Sequence, residues 1–460
     1  MNLARHSISS TAPVLIFDSR FDADCQLFTT CTPTGFAVYR ARPLKLLRKR
    51  EITGGTLAAA VPLHSSSLLF LLGGGRSPRY PPNKVVLWDD AQGKEVAELE
   101  FRERVRGLAC RRGWLAVALR RRVVVFKLDT VVSRYAEWDT CDNPRGLLTL
   151  ATAAYSTLLA IPGRQMGHVQ LIHLPPCTPP EPLGPPPSSL PSRPPPPPTH
   201  HPVSIIAAHE SALTTLSVPP SGRLLATASS RGTLIRVWDA FTGKLVRELR
   251  RGTDKAEIYG VAFRPDEKEL CVWSDKGTVH IFALVGGSGL SNRHSTFSPL
   301  TPYIPLPKYF GSEWSYAQYR IPAQTAHISM SASPSKSPTA DVVDEEKCVV
   351  GWIQGPLDDE EGPPEYQLIA LTYTGGWYRL SLPRSGTPSN ASSTAGHTLS
   401  PLPSSPPSLK GFAGPRPRSG SSSSHSSRLD KGKERENDSK ESRECTLREY
   451  RRYGRWDGWG

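Results

Sequence analysis

Short apolar runs separated by turn residues set the pattern of this chain. Val85-Val-Leu-Trp, Trp114-Leu-Ala-Val-Ala-Leu, Val123-Val-Val-Phe, Leu224-Leu-Ala-Thr-Ala, Thr233-Leu-Ile-Arg-Val-Trp and Thr278-Val-His-Ile-Phe are representative. β-Branched and aromatic residues dominate them, and no long stretch keeps a 3.6-residue period, so the pattern predicts an all-β protein. The runs cluster at a spacing of roughly forty to fifty residues. Trp88-Asp89 and Trp238-Asp239 each end a strand and lead into a turn that closes on Gly-Lys, Ala91-Gln-Gly-Lys and Ala240-Phe-Thr-Gly-Lys. Another short strand follows each, Glu95 to Phe101 and Leu245 to Leu249. Strand, Trp-Asp, turn and strand is the order of a β-propeller blade.

Composition decides where blades can lie. The 460 residues include 45 prolines and 37 glycines, and only 38% are hydrophobic. Residues 175–202 hold 15 of the prolines, with an unbroken run from Pro194 to Pro198. Proline lacks the ladder donor, so this segment reads as a polyproline II or disordered loop insertion. Residues 383–460 are Ser/Pro-rich and then charged, the composition of a disordered tail. Residues 10–382 then form the propeller. Without the insertion they leave roughly 350 residues, about seven blades at forty to fifty each. Each blade packs on its neighbours, so a modest apolar fraction suffices.

The formal net charge is +14, but the residues from 382 onward carry 14 basic and 8 acidic side chains, a net of +6. A basic excess suits an acidic partner, nucleic acid or an anionic membrane. No RNP, zinc-finger or helix-turn-helix signature is present, so nucleic acid is not expected. No apolar run approaches the ~18 residues of a membrane span, and the first residues show no secretory apolar region. Eight cysteines without a CxxC pair fit neither a disulfide framework nor a zinc site and point to a reducing compartment. No GxSxG, HExxH, P-loop or paired-carboxylate constellation appears, so neither catalysis nor a metal or cofactor is expected.

The chemistry gathers in two neighbouring blades. In Thr227-Ala-Ser-Ser-Arg-Gly-Thr-Leu-Ile-Arg-Val-Trp-Asp, alternation puts Thr233, Ile235 and Val237 on one side and Leu234, Arg236 and Trp238 on the other. Ser274-Asp-Lys-Gly-Thr-Val-His-Ile-Phe repeats the pattern, with His280 where Arg236 stood. Between them lies Leu249-Arg250-Arg251-Gly252. Successive side chains on a strand point oppositely, so the two arginines would serve two pockets on opposite faces of one blade. A guanidinium fork suits phosphate oxygens, hydroxyls and glycine N–H groups complete such a shell, and Gly252 lets the backbone turn or approach closely.

On these residues the sequence resembles the PROPPINs, seven-bladed WD-repeat-like propellers that bind phosphoinositides through an F/L-R-R-G motif. The likeness extends to the run from Leu72 to Asp90, to Asp139-Thr-Cys-Asp-Asn-Pro-Arg-Gly, to Gly167-His-Val-Gln-Leu and to Lys308-Tyr-Phe-Gly-Ser-Glu-Trp-Ser, which point to the leucine-type branch. The resemblance implies a first headgroup site of His209, Thr227, Ser229, Gly232, Thr233, Arg236 and Arg250. It implies a second of Arg251, Gly252, Ser274, Lys276, Thr278 and His280. Thr227 stands where many members have serine.

Residues 285–310 show no strand pattern but are rich in aromatic and aliphatic side chains, a combination that marks an interaction surface. In the family the matching loop, between the third and fourth strands of blade 6, enters the membrane interface; here Phe297, Leu300, Tyr303, Ile304 and Leu306 would do so. The resemblance therefore implies a cytoplasmic monomer and non-enzymatic effector. It would bind phosphatidylinositol 3-phosphate and the 3,5-bisphosphate peripherally on preautophagosomal, endosomal and vacuolar membranes. It would serve autophagy and protein transport, with the large lipid-transfer protein of autophagy as partner, and Gly73 to Lys84 as part of that surface. The competing expectation is a generic WD-repeat scaffold that binds only proteins.

Overall fold

The computed structural model describes residues 15–64, 66–153, 155–175, 204–285, 291–293, 311–322, 347–356, 364–383 and 444–454. Seven antiparallel sheets follow one another along the chain. Blade 1 comprises β1 (Asp18–Phe21), β2 (Leu27–Thr32), β3 (Gly35–Arg40) and β4 (Lys45–Glu51). Blade 2 comprises β5 (Leu57–Pro62), β6 (Leu68–Gly73), β7 (Lys84–Asp89) and β8 (Lys94–Glu100). Blade 3 has β9 (Gly107–Arg111), β10 (Trp114–Ala118), β11 (Arg122–Leu128) and β12 (Val132–Asp139). Blade 4 has β13 (Thr149–Leu150), β14 (Leu158–Pro162), β15 (His168–His173) and β16 (Ile205–Ala207). Blade 5 contains β17 (Leu213–Ser217), β18 (Leu224–Ser229), β19 (Leu234–Asp239) and β20 (Leu245–Arg250). Blade 6 contains β21 (Ile258–Phe263), β22 (Glu269–Ser274), β23 (Thr278–Ala283) and, after the two-residue β24 (Glu313–Trp314), its outer strand β25 (Ala317–Arg320). Blade 7 is β26 (Cys348–Gly355), β27 (Glu365–Thr372), β28 (Gly376–Ser381) and β29 (Thr446–Arg452).

The Trp-Asp turns form as the sequence predicts. Asp239 ends β19, and its carboxylate accepts from the backbone N–H groups of Phe241 and Thr242 at 3.0 and 2.7 Å. Asp89 receives Ala91 N–H at 2.9 Å in the same way. Apolar side chains collect in seven clusters, one at each contact between neighbouring blades. Seven thin interfaces replace one large core, which is how a chain with so modest an apolar fraction folds.

The last blade corrects the expectation of an unfolded tail over 383–460. Thr446–Arg452 pairs along β28, from Ser381↔Thr446 to Gly376↔Arg452, and so completes blade 7. Tyr453 then inserts at the contact between blades 7 and 1. Its hydroxyl donates to the Thr372 carbonyl at 2.8 Å, and its ring meets Phe28 edge-on at 5.3 Å. The long connections of blades 4, 6 and 7 all join a third strand to a fourth, so they leave from one face of the ring. The proline insertion beyond Pro175 lies outside the described residues, as do all five side chains expected in the membrane: Phe297, Leu300, Tyr303, Ile304 and Leu306.

Candidate functional site

The arginine pair sits at the end of β20, the outer strand of blade 5's four-stranded meander, with β24 laid parallel beside it. Leu249 belongs to the cluster between blades 5 and 6, together with Ile235 and Val237, whereas Trp238 belongs to the cluster between blades 4 and 5. Alternation from Leu249 therefore turns Arg250 to the blade 4 side and Arg251 to the blade 6 side. Both are largely buried, at 5% and 8% exposed, although arginine is almost never buried without partners. Arg250 Nε donates to Ser312 Oγ at 2.8 Å, and its guanidinium carbon lies 5.9 Å from the centre of the Trp314 ring. Arg251 donates to the carbonyl oxygens of Gly232, at 3.3 Å, and of Asp254.

On the Arg250 side, Arg236 pairs with Glu248 at 2.9 Å and donates to the Ala208 carbonyl at 2.8 Å. Ser229 is buried at the end of β18. His209 and Thr227 belong to a different arrangement from the one expected of them. Trp238 Nε1 donates to the Thr227 hydroxyl at 3.0 Å, and His209 Nε2 lies 2.9 Å from the same oxygen. Thr227 is 0% exposed, so its hydroxyl locks three strands of the blade and does not line a surface. A hydroxyl and an imidazole read the same in sequence whether they face a ligand or a buried indole; Trp238 was the signal, through its unmet N–H.

On the Arg251 side, Val272 and Phe282 face blade 5, and His280 shares their face through the pairing Val272↔His280. Thr278 lies two residues before it and Ser274 two after Val272, so both face blade 5. Ser274 is wholly buried; its hydroxyl accepts Lys276 N–H at 3.4 Å and shapes the turn from inside. Lys276 projects from this turn, its ammonium 3.6 Å from Asp275. Gly232 joins this second group, because its carbonyl holds Arg251, and the Thr233 carbonyl accepts the Arg251 N–H at 3.0 Å. The structure thus brings together Arg250, Arg236 and Ser229 on one face, and Arg251, Gly232, Thr233, Lys276, Thr278 and His280 on the other.

Burial is the main reason both imidazoles stay neutral. It presses His209 down to about 4, helped by the Arg236 charge, and His280 down to about 4, helped by Arg251. Since these folded values lie below the ordinary 6.5, the neutral rings contribute stability above that pH, and the contribution is lost as pH falls towards 4. Nitrogen-detected NMR of the imidazoles should show both neutral at pH 5.5; titration of either near 6.5 would contradict the burial described.

The two glycines play unlike parts. Gly232 has φ +62°, and a Cβ there would stand 1.7 Å from the Ala256 carbonyl oxygen, so the fold demands glycine. At Gly252 a Cβ meets nothing within 4 Å, and the residue is not among those with positive φ. Neither a turn nor a close approach within the chain accounts for it, which corrects the expectation for this residue. Gly232→Ala should lower stability by about 1–3 kcal/mol, whereas Gly252→Ala should cost under about 1 kcal/mol, read by thermal unfolding.

Sequence reasoning gave no role to the segment that touches both faces. Ser312 and Trp314 meet Arg250, and Ser315 Oγ lies 3.1 Å from His280 Nδ1. A two-residue strand is too short to show periodicity, so only the quoted run Lys308 to Ser315 could have drawn attention to it.

Comparison with known proteins places this site. The family model described as PROPPIN matches residues 199–323, which span blade 5, blade 6 and the connection within it. SVP1-like protein 2 of Pichia angusta is 33% identical over 313 residues, 66% of this chain and 81% of that protein. Autophagy-related protein 18e of Arabidopsis thaliana is 33% identical over 308 residues, covering 66% and 75%. Among solved structures, Kluyveromyces lactis Hsv2 superposes with a TM-score of 0.55 at 20% identity, covering 80% of this chain and 93% of that one. The seven-bladed ring is common to both, and the chain belongs to the PROPPIN family of non-enzymatic, phosphoinositide-binding β-propellers.

Proposed function

We propose that this protein recruits autophagy machinery to membranes by holding two phosphoinositide headgroups, phosphatidylinositol 3-phosphate or the 3,5-bisphosphate, at the rim of blades 5 and 6. The observation that carries this reading is the placement of adjacent arginines on opposite faces of one outer strand, each beside its own hydroxyl and cationic or imidazole groups. Arg250 with Arg236 and Ser229 would take one headgroup. Arg251 with Lys276, Thr278 and His280 would take the other, and the uncrowded Gly252 keeps the approach between them open.

The magnitudes favour several weak elements acting together. A charge-assisted hydrogen bond contributes about 1.5–3 kcal/mol, and one headgroup's worth of them is largely offset by the cost of association. Large apolar side chains add about 1.5–3 kcal/mol each when fully buried, and basic residues about 1 kcal/mol each near an anionic leaflet. Two sites and one loop on the same rim raise one another's effective concentration. The 285–310 connection leaves blade 6 beside the second site, so its apolar residues would enter the membrane edge-on. Leu300→Asp/Ile304→Asp/Leu306→Asp should release the protein from vesicles in flotation while leaving its melting temperature unchanged. Retained flotation would remove the loop from the account.

We place the protein on preautophagosomal, endosomal and vacuolar membranes, with the lipid-transfer protein of autophagy as partner. The Gly73–Lys84 segment offers an ordered surface for it: Gly75 to Arg79 are exposed, while Tyr80 is buried and donates to Glu95 at 2.8 Å. Flotation on vesicles containing these lipids, with and without Arg250→Thr/Arg251→Thr, tests the lipid reading; equal flotation would favour a scaffold for proteins alone.

A further inference from the structure

The chain between residues 291–293 and 311–316 forms a clamped neck at the foot of the long blade 6 connection. Asn292 is buried and makes three side-chain hydrogen bonds: from Ala283 N–H at 2.8 Å, to the Ala283 carbonyl at 2.7 Å and to Glu313 at 2.6 Å. Arg293 and Trp314 exchange both backbone hydrogen bonds, at 3.0 and 2.7 Å. Glu313 also pairs with Arg247 at 3.2 Å, which ties the neck to blade 5. Tyr316 is buried and donates to Glu269 at 2.7 Å, and Glu269 pairs with Arg264 at 2.9 Å, which ties the neck to blade 6. The neck is thus fixed to both blades independently of any ligand.

From this fixed frame three side chains reach the two proposed sites. The Ser312 hydroxyl receives Nε–H of Arg250, and the Trp314 ring lies against the same guanidinium. A hydrogen bond in the guanidinium plane and an aromatic contact beside it constrain both the position and the tilt of the group. The Ser315 hydroxyl meets Nδ1 of His280. The bond made by one ring nitrogen sets the orientation of the ring and the proton state of the other nitrogen.

We infer that Ser312, Trp314 and Ser315 are positioning residues: the neck pre-orients Arg250 for one headgroup and His280 for the other. This rests on the two-site reading given above. Arginine carries much rotamer freedom, and binding that must first order it is weaker, so a pre-set guanidinium favours affinity without touching the ligand. The same neck is where residues 294–310 leave and rejoin the described chain, so one short segment serves both sites and the connection expected to meet the membrane.

The test separates the sites. Soluble dibutanoyl phosphatidylinositol 3-phosphate is titrated calorimetrically into Arg251→Thr protein, which keeps the first site, and into Arg250→Thr protein, which keeps the second. Ser312→Ala should weaken binding at least fivefold in the first background and less than twofold in the second; Ser315→Ala should do the reverse. Ser312→Thr, which keeps a hydroxyl, should restore affinity, and Trp314→Phe should lose less than Trp314→Ala. Equal losses in both backgrounds, or none, would overturn the positioning role, and the serine variants decide the matter if Trp314→Ala unfolds. If the two arginine variants themselves bind like the parent, the two-site reading falls and this inference falls with it.

Discussion

A chain that stops at Pro383 should fail to form a closed ring, showing aggregation or a melting temperature lowered by ten degrees or more. The segment 444–454 supplies the outer strand of blade 7, and the seam between the last and first blades depends on it. Tyr453 is 3% exposed; its hydroxyl donates to the Thr372 carbonyl and lies 3.2 Å from Ser19 Oγ, and Gly454 N–H donates to the Tyr39 hydroxyl at 3.1 Å. Burial of that ring contributes about 1.5–3 kcal/mol, and each hydrogen bond about 1 kcal/mol. Losing these with a whole strand exposes the edge of β28 and removes an amount comparable with the ~5–15 kcal/mol that holds a domain together. The internal deletion of residues 390–438 is the matched control. It shortens the connection but keeps β29, and loop length alone changes free energy little, so it should melt within a few degrees of the parent. If the truncated chain melts like the control, the strand is not needed to close the ring.

The second large effect is on membranes. Arg250→Thr/Arg251→Thr should abolish flotation on vesicles carrying phosphatidylinositol 3-phosphate. Each guanidinium offers charge-assisted hydrogen bonds of about 1.5–3 kcal/mol, so removing one bond at each site costs about 3–6 kcal/mol, or two to four decades of affinity. Single variants should keep partial binding, because the arginines face opposite sides of β20 and each leaves the other's site in place. Threonine suits a strand, so the fold should survive. The double variant loses only the contacts to Ser312, Trp314 and the Gly232 and Asp254 carbonyls. Its melting temperature separates a lost site from a lost fold.

Most of the ring was legible in the sequence because its blades carry their own punctuation. The Trp-Asp turns are local: a carboxylate caps the next two N–H groups, and the residues that do this are adjacent in sequence. The spacing of such turns was enough to number the blades. Thr446–Arg452 was not legible, because an outer strand has little to bury. Its residues Thr-Leu-Arg-Glu-Tyr-Arg-Arg are exposed almost throughout, and charge on an edge reads as solvated tail. The opposed arginines followed from alternation alone. His209 and Thr227 did not, because their partner is the indole of Trp238, inside the same blade. The neck at Ser312–Ser315 was hidden for another reason: it acts on residues 35 and 62 positions away, His280 and Arg250, which no local pattern connects.

The central claim is that two headgroup sites stand back to back on one strand, and stoichiometry tests it most directly. Calorimetric titration with dibutanoyl phosphatidylinositol 3-phosphate should give two sites per chain for the parent, one for Arg250→Thr, one for Arg251→Thr and none for the double variant. A single site in the parent, or a stoichiometry unchanged by either arginine, would contradict the account.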